Sequence, residues 1–167
     1  MANDVDPYSR WDAGQRLAEN VLLELVREVQ NGRPLALDAQ LRDAFGRVLG
    51  DEGRDGSERA QALSLPGERV LAQAMAVVDP DAIHVARRFV VRALAESHQD
   101  QLLRLYQTLD TREPYRADKR STDRRRLKNV ALRYLAALEM PESVGRLAAQ
   151  FDQADNMTDM QAALAGL

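Results

Sequence analysis

The sequence predicts an all-α protein, an irregular stack of antiparallel helical hairpins of the α-solenoid (superhelical) type with about eight or nine helices. Three observations predict it. Apolar residues recur at three- and four-residue spacings along almost all of the 167 positions, the period of a helix that buries one face. No alternating run of polar and β-branched residues is long enough for a strand. Short connections rich in Gly, Pro, Asp and Asn separate the periodic segments, which sets consecutive helices antiparallel and side by side. No fixed-period sequence repeat is present, so the stack is irregular.

The first helix is expected from Pro7 to Asn31, with Trp11, Leu17, Ala18, Val21, Leu22, Leu25 and Val29 on one face. Ser9 and Asp12 have the spacing of a capping pair, and Asn31-Gly32 supplies a left-handed stop. A second helix starts at Asp38, carries Leu41, Ala44, Phe45, Val48 and Leu49, and ends at Gly50. The polar stretch 51–56, with two glycines, reads as an exposed loop. Shorter helices follow around Ser57–Leu63 and Pro66–Val77, divided by Ser64-Leu65-Pro66-Gly67.

Asp79-Pro80 is the sharpest start signal. The carboxylate can cap free amides while the proline occupies the first turn, where its missing donor costs nothing. Ile83, Ala86, Val90, Ala93 and Leu94 then form a stripe that changes phase to Leu102, Leu105, Tyr106 and Leu109, predicting a break near Ser97. After the polar connection Thr111–Asp118, a helix from Thr122 to Leu138 turns Leu127, Val130, Ala131, Tyr134, Leu135 and Leu138 inward. Pro141 starts the next, with Val144, Leu147, Ala148 and Phe151 inward. A last helix begins at Thr158, at capping-box distance from Gln161. Its apolar face of Met160, Leu164 and Leu167 lacks a partner, so residues 1–167 read as a single helical domain that is a truncated part of a larger one.

Composition narrows the chemistry. The chain has no cysteine and two histidines, which removes thiolate metal sites, cysteine nucleophiles and most histidine-based constellations. No apolar run has the length of a membrane span or a signal-peptide core, and cytoplasm is the expected compartment. His84, beside Arg87 and Arg88, reads as a surface or boundary histidine. His98 has Gln101 and Leu102 where a helical metal site would place ligands, so a helix-end cap is the better reading. HExxH, P-loop and GxSxG signatures are absent.

The run Arg112, Arg116, Lys119, Arg120, Arg124, Arg125, Arg126 and Lys128, with Tyr115 among them, raises nucleic-acid binding as a reading. Glu113, Asp118 and Asp123 dilute the charge, and the net charge is −3. Cations in the first turn oppose the helix dipole, so some of these residues should find carboxylates elsewhere. A solvated or domain-facing surface, with no nucleic acid, is therefore expected. Arg10-Trp11-Asp12 holds the only tryptophan, suited to wedging the first helix against its neighbours or a preceding domain. By composition alone, Asn156-Met157-Thr158-Asp159 is a turn followed by a cap.

Three strings in order carry a family resemblance: Asp6-Pro7-Tyr8-Ser9-Arg10-Trp11-Asp12-Ala13-Gly14-Gln15, then Arg126-Leu127-Lys128-Asn129-Val130-Ala131-Leu132-Arg133-Tyr134-Leu135, then Ala154-Asp155-Asn156-Met157-Thr158-Asp159. Together, at these distances, they resemble the first part of the C-terminal helical domain of the bacterial aminopeptidase N family, zinc metalloaminopeptidases of the M1 type. The resemblance covers essentially the whole chain. It implies a parent with a β domain, a thermolysin-like catalytic domain and a β sandwich ahead of the helical domain. The HExxH zinc site and the GAMEN recognition motif belong to that catalytic domain and are not in this sequence, so no catalytic or metal residue carries over. The chain alone should be inactive and hold no cofactor, zinc belonging to the parent.

The expected role is a non-catalytic one, shaping access to the parent's peptide chamber. The parent's other domains would be its partners, with a dimer through the truncated face as a further option. Arg10, Trp11, Asp12, Asn156, Met157, Thr158 and Asp159 are the candidate interdomain or chamber-facing residues. The alternative is a stand-alone helical module that binds a protein or peptide along one face.

Overall fold

A computed structural model describes residues 7–111 and 113–167. Nine helices and no strand are found among the described residues: α1 Pro7–Gln30, α2 Ala39–Gly50, α3 Gly56–Ala62, α4 Glu68–Gln73, α5 Pro80–Ser97, α6 Gln99–Leu109, α7 Lys119–Ala136, α8 Pro141–Gln153 and α9 Met157–Leu164. This is the all-α helical stack the periodicity predicts. The chief pairings are α1 with α5, α3 with α7, α6 with α7 and α8 with α9. Helix α7 also meets α5, α8 and α9, so it is the hub of the stack. One continuous core runs through the helices, with Leu22, Leu71, Ile83, Val90, Leu94, Leu102, Ala131 and Leu135 at its centre.

Capping chemistry places most starts. Asp38 accepts from the Leu41 amide at 2.8 Å and Asp79 from the Ala82 amide at 3.0 Å, as their sequence contexts predict. Gly32 adopts the left-handed conformation, φ 65°, that ends α1. At the far end of α2 the carbonyls of Val48 and Leu49 accept from the buried guanidinium of Arg59, which ties α3 to that terminus. The predicted break is at His98, φ −127°, between α5 and α6.

Several boundaries differ from the sequence reading. Ser9 lies inside α1 and does not cap it; Asp12 pairs instead with Arg16 one turn on, at 2.8 Å. Asp6, the first residue of the opening string, is outside the described residues. Helix α4 stops at Gln73, short of Val77: the Ala74 amide closes it with a short i→i−3 bond to the Leu71 carbonyl, and the chain is extended by Asp79, where it caps α5. Helix α7 starts three residues early, under Asp118, whose carboxylate accepts from both the amide and the hydroxyl of Ser121. Asn156, not Thr158, caps α9 by accepting from the Asp159 amide at 3.0 Å.

The largest correction is the rotation of α8. Ser143, Leu147 and Gln150 face inward, whereas Val144 and Ala148 are exposed and Phe151 is half-buried. The polar pair accounts for this: the Ser143 hydroxyl donates to the Leu135 carbonyl at 2.7 Å, and Gln150 bonds to Asn129 and to the Asp159 carbonyl. An apolar stripe on α8 is thus left outward, continuous in character with exposed Met157 and Leu164 on α9.

Helix α2 approaches the α5–α6 junction so closely that a Cβ on Gly46 would lie 2.7 Å from Cε1 of His98. That ring is held by its Nε2 donating to the Arg42 carbonyl at 3.0 Å and by Phe45, 5.5 Å away between centroids. Gly46→Ala, which in an open helix gains up to ~1 kcal/mol, should here cost about 1–2 kcal/mol in urea denaturation. Adding His98→Ala should recover part of the loss.

The cap aspartates predict a pH dependence. The Ala82 amide, then Gln30, holds the Asp79 carboxyl below its ordinary value of 3.8, and the Ser121 amide does the same for Asp118. A depressed folded-state value means the stabilisation is present above the unfolded value and is lost as pH falls through the lowered one. An Asp79→Asn/Asp118→Asn variant keeps a capping oxygen without the charge. Its stability deficit relative to the unaltered chain, measured at pH 7, should fade as pH falls below 3.8 and through the lowered values.

Candidate functional site

The second and third strings of the sequence meet in space. Lys128, on the inner side of α7, places its Nζ 2.9 Å from Oδ2 of Asp159 in the first turn of α9, and both side chains are only 8% exposed. The same lysine lies 3.4 Å from the more exposed Asp110. Asn129 donates to the other Asp159 oxygen at 2.8 Å, and Asn156 reaches Oδ2 at 3.3 Å. Gln150 links Asn129, the Asp159 carbonyl and the hydroxyl of Tyr106. Burial, with Asp110 and Asp159 close by, pushes the Tyr106 phenol up to about 12, so it stays a neutral donor. Every polar group of this buried cluster thereby has a partner, the condition under which burial of an ion pair is tolerated.

Two concavities flank the cluster. On one side a cavity of about 720 Å3 is bounded by Tyr106, Asp110, Lys128, Gln150, Asn156 and Asp159. On the other, a groove of about 810 Å3 runs between α3, α5, α7 and α9. The face of α7 that forms its floor carries Arg126, Asn129, Val130, Arg133 and Tyr134, the i, i+3, i+4, i+7 pattern of one helical side, and Ala137, the residue that caps the helix, extends it. Tyr134 is fully buried beneath it, donating to the Leu63 carbonyl at 2.7 Å and meeting Phe45 edge-on at 4.8 Å.

The two groups of candidate residues lie apart. Arg10 and Trp11, both half-buried, line a third cleft of about 450 Å3 with Leu41, Phe45, Arg47 and Val48 of α2, while Asp12 turns to Arg16. Within the second group, Asp159 points into the cluster and Asn156 caps α9. Met157 and Thr158 are exposed, and Thr158 borders the large groove.

Among the basic run, Lys119 pairs with Asp55 and Asp123, Arg124 with Glu113, and Lys128 with Asp159, so carboxylates from other elements do take up part of that charge. Arg125 lies over the Tyr115 ring at 4.7 Å and donates to the Arg116 carbonyl at 2.9 Å. Arg112 is outside the described residues. His84 is an exposed partner of Glu68 at 3.1 Å. His98 stands at the start of α6 but its side chain does not cap it, engaging Arg42 and Gln101 instead. Among the described residues no group of three His, Cys, Asp or Glu is placed to hold a metal ion. No described helix is long and apolar enough to cross a membrane.

Sequence reasoning missed Tyr106, Asn129 and Gln150 as members of one cluster, and Arg87 of α5 as a wall of the groove. The available signal was a lysine and a glutamine at inward-facing helical positions, which demand internal partners.

A stack of short helix pairs around one continuous core, with a groove along one side, is the architecture of a helical-repeat domain. A family profile described as a domain of unknown function, DUF3458_C ARM repeats, matches residues 1–167, and the chain belongs to that family. Aminopeptidase N of Escherichia coli is 37% identical over 164 residues, 98% of this chain and 19% of that protein. Aminopeptidase N of Caulobacter vibrioides is 33% identical over 161 residues, 96% of this chain and 18% of that protein. The chain therefore spans about a fifth of the length of these relatives. Among solved structures, aminopeptidase A of Legionella pneumophila, in complex with aspartic acid, superposes with a TM-score of 0.80 at 22% identity. That match covers 97% of this chain and 20% of that one, a likeness of fold.

The cluster predicts a strong, partner-dependent effect on stability. Asp159→Ala leaves a buried ammonium without its main partner and should cost about 3–5 kcal/mol in urea denaturation. Lys128→Met/Asp159→Leu, which removes both charges, should lose distinctly less. Equal losses in the two variants would mean that the pair does not couple α7 to α9.

Proposed function

We propose that this chain is the non-catalytic helical segment of an aminopeptidase N, and that it shapes access to the parent enzyme's substrate chamber. The parent removes N-terminal amino acids from peptides, using zinc held in a catalytic domain outside this sequence, in the cytoplasm. The observation that carries the reading is similarity along 98% of this chain to a stretch making up 19% of an aminopeptidase N. The physical character of the chain supports it. Its polar side chains gather in a buried cluster that fixes helix against helix, and an open groove runs beside that cluster. A rigid wall of this kind contributes by shape, admitting extended peptides and refusing folded ones.

Under this reading the parent's remaining domains cover Arg10, Trp11 and Asp12 at one end and the outward apolar residues Val144, Met157 and Leu164 at the other. The isolated chain, with Val144, Met157 and Leu164 exposed, should self-associate in sedimentation experiments, and Val144→Glu/Leu164→Glu should return it to monomer.

The decisive test uses the full-length parent and the isolated chain side by side. The isolated chain should show no zinc-dependent turnover of an aminoacyl amide substrate. In the parent, Trp11→Ala and Asn156→Ala should lower stability and relax discrimination between short and long peptides, with turnover of a dipeptide substrate altered less than twofold, roughly within what a remote structural change produces. Zinc-dependent hydrolysis by the isolated chain, or unchanged peptide-length selectivity in both variants, would overturn the reading.

A further inference from the structure

The chain carries 26 acidic and 23 basic residues, yet the groove between α3, α5, α7 and α9 reverses that balance. Four arginines border it, and three of them, Arg87, Arg126 and Arg133, have no carboxylate within ion-pair distance among the described residues. Each is held in place by a neutral oxygen. Arg87 donates to the Pro66 carbonyl at 3.0 Å, Arg126 to the Ser57 hydroxyl at 2.7 Å, and Arg133 to the Ser64 hydroxyl at 3.4 Å. The two acids of the groove are already engaged, Glu68 by His84 and Glu139 by Arg88. Burial pushes the Tyr134 phenol above its ordinary value against the opposing charges of Arg133 and Arg87, and the Arg133 guanidinium carbon lies 5.9 Å from the centre of that ring. Cations positioned but not neutralised around a concavity repel one another, and a carboxylate bound to a guanidinium relieves that repulsion with directional hydrogen bonds.

We propose that this groove binds an extended acidic peptide segment, with carboxylate side chains on Arg126 and Arg133 and apolar side chains between them. The spacing sets the ligand. Arg126 and Arg133 are seven residues apart on α7, about 10.5 Å along its axis at 1.5 Å per residue. In a polyproline-type chain, side chains three residues apart share a face and are ~9.3 Å apart, so acidic residues at that interval reach both cations. Val130, Ala137 and Ala162 offer an apolar floor to the residues between. Glu68 and Glu139 border the same groove, which disfavours a nucleic-acid strand with a phosphate at every step. The inference rests on the preceding reading for the choice of a peptide, and on the groove's own charges for its acidity.

The test is fluorescence anisotropy of the 167-residue chain with a labelled proline-containing peptide bearing glutamate at every third position, against the same peptide with glutamine. The acidic peptide should bind on the order of tenfold tighter at low salt, with most of that contrast lost near about 0.5 M salt. Arg126→Gln/Arg133→Gln should abolish the contrast while circular dichroism stays unchanged, and Arg126→Lys/Arg133→Lys should keep part of it. Equal binding of the two peptides, no binding of either, or a contrast that survives in the glutamine variant would overturn the proposal. So would a single-stranded oligonucleotide of equal charge binding as tightly through the same arginines. None of these outcomes bears on peptide-length selectivity in the parent, which decides the reading above.

Discussion

The fold depends on one buried ion pair. Lys128 leaves the hub helix α7 and meets Asp159 at the head of α9, both nearly out of solvent, 2.9 Å apart. An ammonium or carboxylate alone in that position would cost several kcal/mol in lost hydration, roughly the size of a domain's whole stability margin. The pair is viable because the other lone pairs of the carboxylate are taken by Asn129 and Asn156 and the neighbouring carbonyl by Gln150. Those bonds tie α7, α8 and α9 in one register. They also explain why α8 turns its polar residues inward: Gln150 completes the cluster, and Ser143 donates to the Leu135 carbonyl in the last turn of α7.

Elements whose boundaries come from local chemistry were legible in the sequence. Asp38, Asp79-Pro80, Gly32 and Pro141 act on amides and torsions within a few residues, so their effect is written where they stand. The phase change near Ser97 was legible for the same reason, since a stripe that shifts on a helix must bend or break. Misreadings arose where a distant partner outweighs a local pattern. On α8 two adjacent stripes compete, Val144/Ala148/Phe151 and Ser143/Leu147/Gln150, and hydrophobicity alone favours the first. The second wins because hydrogen-bond partners on α7 and α9 remove the penalty of burying serine and glutamine. The start of α7 is masked for a subtler reason: Asp118 stands in a polar stretch that resembles a connection, and it caps the helix through both the amide and the hydroxyl of Ser121.

The candidate site divides along the same line. The strings around Lys128 and Asn156 were each singled out, yet their separation of about thirty residues conceals that they are one structure. Asp159 read as part of a turn because the sequence shows its neighbours, not the lysine across the core. Partner carboxylates for the basic run were expected from the dipole argument. Which cations would remain without one was not, because Arg87 lies on a different helix from Arg126 and Arg133, and only packing brings their guanidinium groups to one groove.

An irregular stack faces a specificity problem that a regular repeat does not. With no sequence period to fix the pairing, packed helices could slide by a turn at little hydrophobic cost, since burial is proportional to area and indifferent to register. A slide of one turn would move Asp159 about 5.4 Å from Lys128 and leave both buried and unpaired. The ion pair therefore penalises wrong registers far more than it stabilises the right one, which is the best-attested use of buried charge. The same rigidity determines the shape of the groove. Asn129 belongs to the cluster on one side and borders the groove on the other, so whatever fixes α7 against α9 also fixes the spacing of the arginines that face outward. Stability, register and the geometry of the open surface are consequences of one arrangement of charges.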